Sequence, residues 1–584
     1  MKKSFLILLL ALFLVNFAYS EYVSLDNKAY LPYEVNVISQ TTNEVIVEFK
    51  LNSFEVNRIT IKGKEYSKID IPGVVNYLEK GKPELPHINR NVIISDVGKV
   101  TFKIIDSEII TREFLPPVPS KGNILRSVDP KTIPYTFAKG YFKNQFPIEI
   151  FKISTPFIFR DYRGTNISFN PIFYNPLNSN YKIYKRIRIS IKTELSNGIN
   201  EIKRNQAPKK IDKDFNNLYS NNFLNYSNIR SRYPAVTEQG KMLIITKDDF
   251  YNTMMPFYLW KLEKGIPCEM VNLSTIGNYE TAIKNFIQSK YDSDTIAYIL
   301  LVGDGPDIVP ATGNIGDANG EDADPVYTYL AGSDYYPDAI IGRFSSSYVS
   351  DIENMATRSI NYEMNPNPTG EWYHKAMGLG STQGTPSDSQ RVAWLRDSLL
   401  TYNYDIVDLM IDGYQNATNI SNALNAGRGL AYYCGHGSTT GWATPSYSNS
   451  NVQSLTNVGM LPFVHSVACL SGNFNGNDCF GENWLKAGTA ANPTGGISHY
   501  ASVISQSWVP PCYSQEEFIH LIINEINTSV GALFFNGSCH MIEHYGATSA
   551  EGVELFQTWI IFGDPSIQIR TNTPLSMTAN YDNT

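Results

Sequence analysis

Two different periods of hydrophobicity divide this chain. From Glu21 to about Asn197, apolar and polar residues alternate over short stretches separated by Pro and Gly: VIVEFKLN, RITIKG, VTFKIID, IEIFKIS and YKIYKRIRISIKTEL. A period of two puts one side of each stretch on a core and the other in water, which predicts the strands of an all-β sandwich-like domain. From Lys241 the pattern changes to continuous apolar runs, MLIIT, IAYILLVGD, AMGLGST, LAYYCGHG, LPFVHSVACLSG and GGISHYASVISQSW. Runs without a polar side predict strands covered on both faces of a parallel sheet. Between them lie helical periods, among them YETAIKNFIQSKY, YVSDIENMATRSINYEM, SQRVAWLRDSLLTY and QEEFIHLIINEIN. Strand and helix in alternation predict an α/β fold with helices on both faces of a mainly parallel sheet.

Residues 198–232, rich in Asn and Ser and dotted with basic residues, separate the two patterns and read as an exposed linker open to nicking. At the other end, Lys2 and Lys3 precede an apolar run from Phe5 to Phe17 that ends at Ala18-Tyr19-Ser20. That layout predicts a secretory signal peptide cut before Glu21, and the run falls short of the roughly 20 residues a spanning helix needs. No other stretch is long and apolar enough for a transmembrane segment, so a secreted chain is expected. The expected division is therefore a signal peptide (1–20), a β-rich domain (21–197), a linker (198–232), two α/β subdomains (233–365 and 366–573) and a short tail (574–584).

Charge sharpens the division. The net charge is −8, yet residues 1–232 hold 34 basic and 21 acidic side chains, against 14 and 35 in the remainder. The halves attract each other, and the α/β half, where the chemistry is expected, is acidic. This excludes a nucleic-acid binder, whose working domain should be basic, and favours basic partners. All six cysteines follow residue 232 without a C-x-x-C spacing, which argues against both a disulfide scaffold and a zinc cluster. At least one free thiol is expected.

Ligands of open α/β sheets bind beyond the carboxyl ends of the strands. Those ends bring Gly303-Asp304, Ser381-Thr382-Gln383-Gly384, Cys434-Gly435-His436-Gly437, Ala468-Cys469 and Ser505-Gln506-Ser507-Trp508 to one edge. A thiol and an imidazole delivered by two strand ends are what a cysteine nucleophile and its base need. The N–H groups of Gly437 and Cys469 are candidates for an oxyanion hole. Taken singly, Cys469 also fits a small buried core residue, and His436 a capped loop residue.

Several motifs, in order, carry a resemblance: C-G-H-G, V-A-C-L-S-G-N-F, C-F-G-E (Cys479 to Glu482), P-T-G (Pro493 to Gly495), S-Q-S-W and T-W-I-I-F-G-D-P-S (Thr558 to Ser566), preceded by LLVGD and IGRFS. Over about Tyr233 to Thr573 the chain resembles the gingipains, secreted bacterial cysteine endopeptidases with a caspase-like α/β/α sandwich. GKPELP and the β-rich region resemble the gingipain propeptide. The resemblance implies Cys469 as nucleophile and His436 as general base. It puts Gln383 where the family has an acidic residue orienting the histidine. It implies Asp388 at the floor of the primary specificity pocket and Trp508 as its aromatic wall, suited to guanidinium, with Cys434 and Gln506 also lining the substrate site. An alternative for Asp388 is a helix N-cap.

The resemblance further implies a zymogen released beside Arg230 and Arg232, giving Tyr233 as the new N-terminus, with Arg232 occupying the pocket beforehand. No cofactor is required for catalysis. A structural calcium is implied, for which Asp317, Asp322 and Asp324 are the candidate ligands, while Asp304 and Asp564 are expected to close turns. The expected partners are protein or peptide substrates with Arg or Lys and the chain's own propeptide. After Arg570 too few residues remain for the immunoglobulin-like domain that follows in gingipains, which fits a compact secreted form or a chain that stops early. Two other readings stay open: a sortase-like transpeptidase of the same superfamily, and an inactive cell-surface adhesin, favoured by Gln383 and opposed by Cys469 and His436.

Overall fold

The computed structural model describes residues 20–26, 30–203, 210–229, 235–526 and 528–575. Residues 1–19 of the expected signal peptide and the expected processing site at Arg230, Arg232 and Tyr233 lie outside them.

The alternating stretches of the N-terminal half become antiparallel strands. Glu44–Leu51 lies beside Asn180–Glu194, and the latter pairs along its length with Lys99–Arg112. A second sheet is built around Pro86–Ile93 and Tyr162–Phe169. Val47, Phe49, Ile88, Val92, Ile167, Phe169, Ile187 and Ile189 from both sheets fill a shared core. This is the sandwich that the period-two pattern predicts, because each strand has one apolar face to bury.

The apolar runs of the second half become the strands of one ten-stranded sheet. Their order is Cys268–Asn272, Met242–Thr246, Tyr298–Val302, Ile340–Phe344, Trp559–Phe562, Ser498–Ser502, Phe463–Val467, Leu430–Cys434, Lys375–Gly380 and Ile406–Ile411. Neighbours run parallel except Ser498–Ser502 with Trp559–Phe562. The helices fall into two packed groups. Tyr251–Glu263, Val349–Met364 and Phe480–Lys486 form one; Asp388–Tyr402, Pro510–Ile523, Val530–Tyr545 and Ala550–Thr558 form the other. Trp559–Phe562, from the far end of the chain, pairs with Ile340–Phe344 on one side and Ser498–Ser502 on the other. The two expected subdomains therefore share one sheet, stitched at its middle.

The exposed-linker expectation is corrected over residues 211–229. Lys213–Asn222 is a helix capped by Asp212, and Phe215, Leu218, Tyr219, Phe223 and Tyr226 are buried in the core of the α/β half. The Asn and Ser content hid their spacing of three and four residues, which lines up one apolar face of a helix.

Candidate functional site

Four parallel strands deliver the site. Lys375–Gly380 leads into Gln383, Leu430–Cys434 into His436, Phe463–Val467 into Cys469, and Ser498–Ser502 into Gln506 and Trp508. Each predicted strand end thus reaches the same edge of the sheet. The Tyr433 hydroxyl donates to the His436 carbonyl at 2.5 Å, and the His436 N–H donates to Thr444 Oγ1 at 3.0 Å, which pins the loop from both sides. Gly437 packs against the Cys469 backbone so closely that a Cβ there would lie 2.7 Å from the Cys469 carbonyl oxygen. Only glycine permits that approach, and it brings the two expected oxyanion donors together. Leu470, directly after the thiol, turns through the left-handed region with φ 58°.

The His436 Nε2 lies 3.0 Å from Gln383 Oε1, so the amide occupies the orienting position and takes the ring N–H. Trp508 stands edge-on to the imidazole, with centroids 5.4 Å apart. The Cys469 sulfur accepts the Gln506 N–H at 3.3 Å. Burial pushes the Cys469 thiol up, against a smaller downward pull from that N–H. Burial, and then the charge of a nearby arginine, hold the imidazole below its ordinary range. Both shifts favour the uncharged forms of the thiol and the imidazole.

That arginine is Arg126, from the β-rich half. Its side chain is fully buried, and Nη1 donates to Asp388 Oδ2 at 2.9 Å. Its Nη2 donates to the Trp508 carbonyl at 2.9 Å and to the sulfurs of Cys434 at 3.3 Å and Cys512 at 3.4 Å. The guanidinium sits 5.0 Å from the Trp508 ring centroid. The backbone around it forms an isolated antiparallel bridge with the loop after Ser498–Ser502: the Arg126 N–H donates to the Gln506 carbonyl at 2.7 Å, and the Trp508 N–H to the Ile124 carbonyl at 2.9 Å. The Arg126 carbonyl reaches the His436 ring. The buried guanidinium contacts and the backbone pairing are those of an extended peptide presenting an arginine to a pocket.

Asp388 is 2% exposed and opens helix Asp388–Tyr402, so its carboxylate also meets the positive end of the helix dipole. The N-cap is Ser387, whose side chain accepts the Gln390 N–H, so Asp388 is not spent on capping. The Ser381 hydroxyl donates to Asp388 Oδ2 at 2.6 Å and the Cys434 thiol to Oδ1 at 3.2 Å.

Two expectations are corrected. The residue in the pocket is Arg126, not Arg232, because the Ile124–Arg126 segment is extended and pairs with the Gln506–Trp508 edge. Nothing in composition separates Arg126 from the other basic residues of its half; its only signal is an arginine after two apolar residues in a long region without strand pattern. The acidic loop does not gather into a cation site either. Both Asp324 oxygens are taken by Arg343, at 2.7 and 2.8 Å, and Asp322 accepts from Asn475, while the Asp317 N–H donates to Glu554. A carboxylate held bidentately by a buried guanidinium is not free for calcium, so these residues do not fit the implied ion. Asp304 and Asp564 do accept from the turns that follow them, at Gly305 and Ser566. Ser381 and Cys512 also line the pocket, Ser381 through its hydrogen bond to Asp388 and Cys512 through its contact with the guanidinium.

Comparison with known proteins agrees with this geometry. Residues 235–570 match the description Peptidase family C25, and residues 28–233 match Propeptide_C25. The chain is 33% identical to gingipain R1 of Porphyromonas gingivalis over 93% of its own length, and spans 55% of that relative. It is 32% identical to gingipain R2 of the same organism, strain W83, again over 93% of its length, and covers 75% of that protein. Among solved structures it resembles the Arg-specific cysteine proteinase gingipain R (TM-score 0.55, 32% identity, 59% of this chain and 82% of that one). It also resembles a complex of gingipain pro- and mature domains from Porphyromonas gingivalis (TM-score 0.54, 32% identity, 57% and 81%). The chain therefore belongs to peptidase family C25, with the propeptide of that family preceding its catalytic region.

Proposed function

We propose that this chain is a secreted cysteine endopeptidase that cuts after arginine and is made as a precursor held latent by its own propeptide. The observation that carries the reading is Arg126 itself, seated as a substrate arginine would be. Asp388 and the Trp508 ring fit a planar cation, and Nη2 meets three further acceptors that a shorter lysine ammonium would reach less well. In the reaction, Cys469 attacks the carbonyl of the arginyl residue, the N–H groups of Gly437 and Cys469 stabilise the oxyanion, and His436 protonates the leaving amine. Water then hydrolyses the thioester. Gln383 holds the imidazole through a neutral amide.

Latency follows from the same contacts. Arg126 fills the pocket, and its charge, after burial, helps hold the His436 imidazole below its ordinary range, which disfavours the imidazolium until the propeptide leaves. Lys2, Lys3 and the apolar run after them support export. Among the described residues no helix is long and apolar enough to cross a membrane. Arg230 and Arg232 support release by a cut that exposes Tyr233.

Incubating the purified full chain, wild type and Cys469→Ala, with sequencing of new N-termini, tests the reading. Tyr233 should appear with the wild type alone, together with hydrolysis of arginyl peptides. Arginyl hydrolysis that survives Cys469→Ala would overturn it.

A further inference from the structure

Away from the cysteine site, helix Val530–Tyr545 carries His540, Glu543 and His544, positions that share one helix face. One ligand atom from each lies within 4.8 Å of the other two, and no other such group of three His, Cys, Asp or Glu occurs among the described residues. Helix Pro510–Ile523 adds Glu517, whose Oε2 is 4.0 Å from His540 Nε2. The His544 Nδ1 is tied to the His540 carbonyl at 3.0 Å; with Nδ1 as donor, Nε2 keeps its lone pair, the arrangement of a ligating imidazole held by its second nitrogen. Glu543 and His544 are buried, and the His540 side chain is 25% exposed.

The cluster lies under the propeptide, which supplies the cation it faces. Arg90, on strand Pro86–Ile93, places Nη1 3.9 Å from Glu543 Oε2 and holds the Tyr33 hydroxyl with Nη2 at 2.7 Å. The neighbouring Asn91 N–H donates to Glu543 Oε1 at 2.7 Å. These two contacts of the buried carboxylate depart with the propeptide. What stays behind is one carboxylate and two imidazoles on a helix face, with a second carboxylate beside them.

We propose that His540, Glu543 and His544, completed by Glu517, form a site for a borderline divalent transition-metal ion of the zinc type, which takes the place of Arg90 once the propeptide leaves and opposes its return. Mixed imidazole and carboxylate donors select such an ion over calcium. Metal–ligand bonds of roughly 2.0–2.2 Å set donors about 3.3 Å apart in a tetrahedral site. Within the triad the ligand atoms lie within 4.8 Å of one another, with His540 Nδ1 4.0 Å from Glu543 Oε2; Glu517 faces the other ring nitrogen, Nε2, at 4.0 Å, and joins the site by side-chain rotation, for which the partly exposed His540 has room.

The test uses the full chain carrying Cys469→Ala, titrated with Co2+ and followed by visible absorption. Adding Arg90→Met should tighten binding of one Co2+ at least tenfold over the Arg90 parent, and adding His540→Ala with His544→Ala should abolish the gain. Arg90→Gln, which keeps a donor for Tyr33, gives the same reading should Arg90→Met not fold. Glu543→Gln in the Arg90→Met background should weaken binding tenfold or more. Equal affinity with and without Arg90, tight binding that survives loss of both histidines, or a near-ultraviolet thiolate-to-cobalt band that assigns the ion to cysteines would overturn the proposal.

Discussion

Arg126 and Asp388 stand 262 positions apart in the chain and 2.9 Å apart in space, one from the propeptide and one from the first turn of a catalytic helix. Both are buried, so neither charge has water to fall back on. Removing one partner of such a pair leaves the other uncompensated, which costs about 3–5 kcal/mol.

Asp388→Asn is therefore expected to act twice. Without the carboxylate, kcat/KM for arginyl peptides should fall at least about 100-fold, with a smaller loss for lysyl peptides. The same change should weaken the hold of the propeptide, read as faster dissociation of the two halves after the linker is cut.

The sulfurs of Cys434 and Cys512 both take the guanidinium Nη2 and lie 3.8 Å from each other. Burial pushes the Cys434 thiol up, whereas the contact with Cys434, ahead of the opposing burial, lowers Cys512. Replacing both by Ala should lower kcat/KM for arginyl peptides by about tenfold, since one hydrogen bond to a charged group is worth about 1.5–3 kcal/mol. Lysyl peptides should change less, so the ratio of the two rates is the quantity to measure.

Gln383→Glu places a carboxylate 3.0 Å from where His436 Nε2 now lies. A negative partner raises the imidazole pKa. Activity that needs thiolate with imidazolium is lost on the alkaline side when the imidazolium loses its proton, so the alkaline limb of the kcat/KM profile should move to higher pH. Gln383→Ala should lower kcat without that shift.

The latent chain should also reveal its dyad by alkylation. Because burial raises the Cys469 thiol, its reaction with iodoacetamide should have its inflection above the ordinary thiol range.

Much of this was legible in the sequence. The apolar runs announced the parallel strands because a strand covered on both faces has no polar side to show, and the residues just past those runs were the site. Helix Asp388–Tyr402 was readable from its period. What hid was tertiary. Arg126 is one basic residue among many until the Ile124–Arg126 backbone meets the edge at Gln506–Trp508. Phe215, Leu218 and Tyr219 were masked by Asn and Ser in a stretch that polarity assigned to solvent. Asp324 looked like a cation ligand because nothing local announces that Arg343, 19 positions later, takes both its oxygens.

The central claim is that Arg126 occupies the arginine pocket of a competent cysteine peptidase and keeps it latent. Its most direct test is the rate at which an arginyl thiol-alkylating probe labels Cys469 in the full chain, compared between wild type and Arg126→Ala, with Cys469→Ala as the blank. Labelling at least about 30-fold faster in Arg126→Ala is predicted, from the about 2–5 kcal/mol lost when a buried charge pair is truncated. Equal labelling of the two chains, or labelling that persists in Cys469→Ala, would contradict it.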